Sequence, residues 1–186
     1  MLFRSEAQHR ARLPVEIHPY SAGVRGGIAG GIAMAGLAVL HGLLGHGSPW
    51  YTINLLAAAG SATLSNAPLE VLDAFNAQGF VLAFVIHATL SILVGLLYAA
   101  LLPMVPWHPA FWGGVVAPIL WSGLIASALD VINPALNARI EWPWFVASQI
   151  AFGLVAGLVV ARSARIGVFQ YGPLAARTGT ERQDRR

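Results

Sequence analysis

The stretch GFVLAFVIHATLSILVGLLYA, residues 79–99, decides the fold class, because it carries one histidine and otherwise no side chain that ionises near neutral pH. Its length matches the roughly 20 apolar residues that cross the ~30 Å hydrocarbon core of a bilayer. Three other stretches have the same character, and the four predicted spans are 26–44, 79–102, 111–131 and 144–161. The sequence therefore predicts an all-α integral membrane protein, a bundle of four transmembrane helices.

The composition of the whole chain also indicates a membrane protein. Of its 186 residues, 56% are hydrophobic and 10% are charged, whereas soluble domains carry about 25% charged residues. Cysteine is absent, which excludes disulfides and thiolate ligands. The basic residues belong to the tails beside the spans, so their excess predicts contact with membrane lipids rather than with nucleic acid.

The arginines predict the orientation of the spans. All eleven basic residues are arginine, which favours a GC-rich bacterial source, and only Arg139 lies between spans. The others lie in the predicted basic tails 1–25 and 162–186, with Arg4, Arg10, Arg12, Arg25, Arg162 and Arg165 nearest the spans. Because basic residues stay on the cytoplasmic side, we expect a multi-pass protein of the bacterial inner membrane with both termini in the cytoplasm.

The connection between the first two spans, residues 47–78, is predicted to form short helices at the outer surface of the membrane. Its first part, residues 51–64, is apolar but too short to cross. Asn66 is the expected cap of a second short helix, with Pro68 in its first turn. Leu69, Leu72 and Phe75 recur at three-residue steps, which predicts one apolar face. This insertion divides the membrane domain, residues 26–161.

Small residues predict how the helices pack. Lipid gives helices no hydrophobic reason to associate, so small residues that allow close backbone contact provide the packing instead. Span one has more small residues than contact with one neighbouring helix requires. They form two rows, or ridges, along the helix, and the second ridge, Gly26 and Gly30, is expected to face another protein. The predicted packing residues are Gly26, Gly27, Gly30, Gly31, Ser91, Gly95, Gly153 and Gly157. Similar glycine spacings in spans one and three, and in spans two and four, leave open a repeat of two halves.

A few polar residues lie within the predicted spans: His41, His87, Asp130 and Gln149. His41 and His87 reach a similar outer-leaflet level, so they are candidate ligands of a haem iron. The alternative, which we favour, is that His87 is neutral and bonds to Gln149 or to a backbone carbonyl. No motif of a haem protein, metalloprotease or hydrolase is present in the sequence, and we expect no enzyme, cofactor or metal.

These features favour a non-catalytic accessory or structural subunit of a larger bacterial membrane complex, with respiratory or photosynthetic electron transport as the favoured setting. Its partners would be membrane lipids and other integral membrane subunits. One alternative is a small carrier or exporter built from two related halves. The other is a haem- or quinone-binding module that uses the outer-leaflet histidines.

Overall fold

The computed structural model describes residues 16–105 and 111–167. Its elements in chain order are β1 (Glu16–Ile17), α1 (Tyr20–His46), α2 (Trp50–Ala57), α3 (Ala62–Ser65), α4 (Leu69–Leu72), α5 (Ala77–Leu101), α6 (Ala117–Ile132), α7 (Pro134–Asn137), α8 (Trp142–Ala161) and β2 (Ile166–Gly167). A π-helical turn, Trp112–Val116, leads into α6. Short 3₁₀ turns, Ala58–Gly60 and Leu102–Met104, follow α2 and α5.

Within these described residues, four helices are long and apolar enough to cross a membrane, namely α1, α5, α6 with its π turn, and α8. This confirms the prediction of four such segments in a mostly helical chain. The helix α1 begins at Tyr20, earlier than the predicted start at residue 26. Arg25 therefore lies within α1 rather than in a tail, and its side chain is exposed and donates to Ser21 Oγ at 3.4 Å.

The bundle is built around α1, which packs along both α5 and α8. One glycine ridge faces α5: a Cβ added to Gly31 would lie 2.7 Å from Ser91 Oγ, and one on Gly27 would collide with the Ser91 carbonyl. The other ridge faces α8, where a Cβ on Gly26 would lie 2.7 Å from a methyl of Val160. Both ridges are filled by helices of the same chain, so the prediction that Gly26 and Gly30 face another protein is wrong.

The remaining predicted packing residues also lie at helix contacts. On α5, Gly95 meets the backbone of Gly27. On α8, a Cβ on Gly153 would lie 2.9 Å from Tyr98 Oη, and one on Gly157 would touch the same ring at 3.8 Å. Small residues thus bring α5 and α8 against their neighbours as the sequence predicted.

The π turn before α6 has a local cause in Pro118. In the π turn each N–H bonds to the carbonyl five residues earlier, as the Ala117 N–H does to the Trp112 carbonyl. The next carbonyl, that of Gly113, would need the N–H of residue 118, but this residue is a proline and has none. The hydroxyl of Tyr98 on α5 donates to the Gly113 carbonyl instead. A buried carbonyl is satisfied in this way, and the entry of α6 is tied to α5.

The insertion between α1 and α5 forms a small apolar cap on the end of the bundle where α1 ends and α5 begins. Leu55, Leu64, Leu72 and Leu136 are all buried in one cluster with Tyr51. Asn54 is 1% exposed, and its amide donates to the carbonyls of Leu72 and Ala74, at 2.8 Å each. These bonds tie α2 to the segment around α4.

The insertion holds three short helices rather than the expected two. The first predicted helix breaks at Ser61, whose Oγ accepts from the Leu64 N–H and begins α3. Asn66 does not cap the next helix, because its amide donates to the Ala62 carbonyl and Pro68 precedes α4 without a side-chain cap. The prediction that Asn66 caps this helix was therefore wrong.

The predicted apolar face of this segment is only partly buried. Leu72 is completely buried, whereas Leu69 and Phe75 are exposed. Phe75 packs against Trp50, with ring centroids 4.8 Å apart.

The two ends of the described chain meet at the opposite end of the bundle. Ile17 of β1 pairs with Ile166 of β2 in an antiparallel ladder, and Arg165 Nη1 lies 3.8 Å from Glu16 Oε2. Four crossings would place both ends on the same side of the membrane, which agrees with this pairing. Arg162 follows α8 directly, while Arg4, Arg10 and Arg12 lie outside the described residues.

Candidate functional site

His87 on α5 contacts the backbone of α1. Its Nε2 lies 2.9 Å from the Gly31 carbonyl oxygen, and because a carbonyl only accepts, this nitrogen carries the proton. The backbone carbonyl anticipated from the sequence is thus a partner of His87. Within the described residues Gln149 makes no side-chain hydrogen bond to His87, and instead it lines a cavity of about 50 Å³ together with Ser91 and Trp121.

The structure does not bring His41 and His87 together. His87 bonds at Gly31, and His41 lies ten residues further along α1, about 15 Å at 1.5 Å per residue. A single iron cannot be ligated by both rings at this separation. Asp130 lies near the end of α6, where it is exposed and accepts from the Asn137 amide at 3.4 Å.

A cluster of ionisable side chains forms instead where α1 ends and α8 begins. His46 is the last residue of α1 and Glu141 directly precedes α8. His41 Nε2 lies 3.2 Å from Glu141 Oε2, and His46 Nε2 lies 3.0 Å from Oε1 of the same carboxylate. We call His41, His46 and Glu141 the outer-end cluster, because the sequence predicts this end of the bundle to face outward.

Aromatic rings hold both imidazoles in place. The His46 ring stacks on Tyr51 of α2, with centroids 3.4 Å apart and planes 12° apart. The His41 ring lies 5.2 Å from the Trp144 ring of α8. The Tyr51 hydroxyl donates to the Arg139 carbonyl at 3.3 Å. Three helices and the segment before α8 therefore fix the positions of the cluster.

The charges of the cluster influence one another. The hydrogen bond from His46 lowers the pKa of Glu141 below its usual value, and the contact with His41 lowers it further. Burial raises the pKa of Tyr51, and the nearby Glu141 carboxylate raises it more. Glu141 is therefore held as a carboxylate beside two imidazoles, a combination that can bind a metal ion. The three ligand atoms lie within 4.8 Å of one another.

Sequence reasoning singled out His41 but missed its partners. His46 and Glu141 are 95 residues apart, and no local spacing connects them. The available signals were weak: two histidines at the end of one span, and an acid beside the start of another.

Arg139, the lone basic residue between spans, has a structural role, since its Nη1 donates to the Ala67 carbonyl at 2.6 Å.

A second feature of functional interest is the outward face of α6. This helix and its π turn make their main contacts with α8, and 11% of its apolar stretch is buried, against 17% for α5, 28% for α1 and 33% for α8. Gly123 and Ser127 both lie on the exposed surface, and no described atom lies within 4 Å of a Cβ added to Gly123. A helix that is long enough to span therefore exposes two small residues among larger apolar side chains such as Leu120 and Leu124, away from its own bundle.

Comparison with known proteins adds no family to this picture: the chain matches no protein-family model, no curated protein and no solved structure at a significant level.

Proposed function

We propose that the chain is a non-catalytic accessory subunit of a larger complex in a bacterial inner membrane, and that its partner helix docks on α6. Both termini would lie in the cytoplasm, with the cap and the outer-end cluster on the other side. Electron transport is the proposed setting, and it rests on the size and apolar character of the chain rather than on any individual residue.

The observation that carries this proposal is the thin packing of α6. The other three long helices meet one another along glycine ridges and close small-residue contacts. In contrast, α6 packs mainly on α8 alone and buries the smallest share of its apolar stretch, 11%, with α5 next at 17%. Because lipid gives helices no hydrophobic reason to associate, small residues on an exposed face are what a neighbouring helix needs for close contact.

The exposed face of α6 also offers polar groups to such a partner. Ser127 Oγ donates to the Gly123 carbonyl at 3.0 Å, which leaves its oxygen able to accept one more hydrogen bond. Gly123 and Ser127 are four residues apart and therefore lie on the same side of the helix. A helix crossing at Gly123 would approach closely and find a hydrogen-bond acceptor one turn away.

A carrier made of two related halves is less well supported. Span one and span three would be counterparts in such a repeat, yet α1 lies between two helices while α6 lies at the edge of the bundle. The cavity beside Gln149, about 50 Å³ in volume, has room for water but not for a carried solute. The haem-binding alternative lacks its proposed pair of iron ligands, because His41 and His87 lie apart.

Co-purification of variants in mild detergent tests the proposal. Gly123→Leu and Ser127→Leu should release a partner that co-purifies with the wild-type protein, while the four-helix fold remains intact. Thr89→Leu, an exposed position on α5, is the matched control and should retain the partner. Retention of the same partners by all three variants would remove α6 as the docking helix.

A further inference from the structure

We propose that His41, His46 and Glu141 form a binding site for a divalent transition-metal ion of the zinc type at the end of the bundle. The site goes beyond the proposed subunit function and does not depend on it.

The arrangement of the three side chains supports a metal site. Each imidazole presents its Nε2 to a different oxygen of one carboxylate, at 3.2 and 3.0 Å. All three donor atoms point into one space less than 5 Å across. Small rotations of the side chains are enough to place the donors about 2.0–2.2 Å from a common ion.

A second and independent observation is the unsatisfied nitrogen of His41. The side chain of His41 is 7% exposed, and its Nε2 makes no hydrogen bond within the described part of the chain, although Glu141 is close. The 3.2 Å approach is therefore a contact without hydrogen-bond alignment. A buried polar atom without a hydrogen bond is unfavourable, and a metal ion coordinated by the Nε2 lone pair removes that cost.

The donor set indicates which ions fit. Two imidazoles and a carboxylate are a known three-residue set for zinc that leaves a fourth position open for water or another ligand. Calcium and magnesium require sites made mostly of oxygen, and copper(I) prefers sulfur donors, whereas the cluster contains none. Zinc(II) fits best, and cobalt(II), nickel(II) and copper(II) are the expected substitutes.

The surroundings suit both binding and exchange of the ion. The aromatic rings beside His41 and His46 restrict the motion of the ligands, which lowers the entropy lost on binding. The Glu141 side chain is 47% exposed, so an ion from the aqueous phase can reach the site.

Titration of the full-length protein tests the site. The protein is purified in detergent with a tag free of histidine, treated with a chelator and titrated with Co²⁺, then with Zn²⁺. We expect one ion per chain, a visible cobalt spectrum of tetrahedral type and its loss on addition of Zn²⁺.

Variants separate this site from other histidines. His41→Ala, His46→Gln and Glu141→Gln should each weaken Zn²⁺ binding by at least about 100-fold, since even loss of an outer-shell partner costs 10–100-fold. His87→Gln is the matched control and should bind as the wild type does. Glu141→Gln replaces a half-exposed side chain by one of equal size, and an unchanged circular dichroism spectrum verifies its fold.

Two results would overturn the metal site. One is the absence of stoichiometric Zn²⁺ or Co²⁺ binding by the wild type, which would leave the cluster as a hydrogen-bonded link between helix ends. The other is wild-type affinity in a folded Glu141→Gln variant, which would place the ion elsewhere.

Discussion

At the scale of single residues, three polar side chains join different elements of the fold. His87 donates to the Gly31 carbonyl, Tyr98 donates to the Gly113 carbonyl, and Asn54 donates to two carbonyls of the cap. Each bond links two elements through a backbone acceptor. The sequence indicates that such residues need partners, but it does not indicate which carbonyl is near, because that depends on how the helices cross.

His87 gives the first prediction. The Gly31 carbonyl also belongs to the hydrogen-bond ladder of α1, so it keeps a partner when the imidazole is removed. His87→Leu should therefore lower the free energy of unfolding by only about 0.6 kcal/mol, and by at most about 1.7 kcal/mol. Unfolding in mixed micelles measures this difference. A bound pigment or metal that disappears in the variant would show instead that His87 is a ligand.

At the scale of elements, the glycines of α1 have unequal roles that the sequence does not distinguish. Gly27 and Gly36 both occur in the same apolar span, but Gly27 lies against α5, whereas a Cβ added to Gly36 has no atom of the described residues within 4 Å. The pattern of small residues predicted close packing correctly. Which ridge meets which helix depends on the positions of α5 and α8 around α1, and therefore on tertiary contacts.

Adding one methyl group at Gly27 or at Gly36 tests this difference between the two glycines. Gly27→Ala places its Cβ against the Ser91 carbonyl, so we expect a loss of about 1–3 kcal/mol, as for other overpacked sites. Gly36→Ala introduces the same group into open space and should be neutral or stabilising by about 0.5–1 kcal/mol. Equal stability of the two variants in an unfolding titration would contradict the packing of α1 on α5.

The junction of β1 and β2 should depend on pH through His18. Burial lowers the pKa of His18 below its usual 6.5, and the positive charge of Arg165 lowers it further. The folded junction therefore favours the neutral ring, and the unfolded chain binds the extra proton as the pH falls below about 6.5. The junction should be fully stable above pH 6.5 and weaken below it.

Amide hydrogen exchange at the four paired residues, Glu16, Ile17, Ile166 and Gly167, measures that junction. Between pH 7.5 and 5.5 the protection of these amides should fall in the wild type after correction for the intrinsic rate. His18→Gln, which does not titrate in this range, should show a flatter dependence. The same slope in both proteins would exclude His18 as the cause.

At the scale of the whole molecule, the number of long apolar helices and the approximate span bounds could be predicted from the sequence, because length and hydropathy are local properties. The π turn was not predicted, since it depends on Pro118 and on Tyr98 from another helix. The outer-end cluster was not predicted because its members come from opposite ends of the membrane domain. The position of α6 at the edge of the bundle could also not be predicted, because spans one and three have similar glycine spacings.

Orientation in the membrane is a prediction at this scale. Reporter fusions after Met104 and Ser163 should read cytoplasmic, and fusions at Ala67 and Asn137 should read periplasmic, because the arginine-rich tails remain inside. A cytoplasmic signal at Ala67 would contradict four crossings, since the short apolar helices of the insertion would then have to span.

Site-specific photo-crosslinking in intact membranes tests the central claim, that α6 is the docking helix of a membrane subunit, most directly. A photoreactive residue is placed at Leu124, an exposed position on α6 beside Ser127, or at Leu93, an exposed position on α5. We expect position 124 to give a discrete adduct with one other membrane protein, lost on Gly123→Leu, and position 93 to label lipid alone. Lipid labelling alone at both positions, or the same protein adducts from both, would contradict the assignment of α6 as the docking helix.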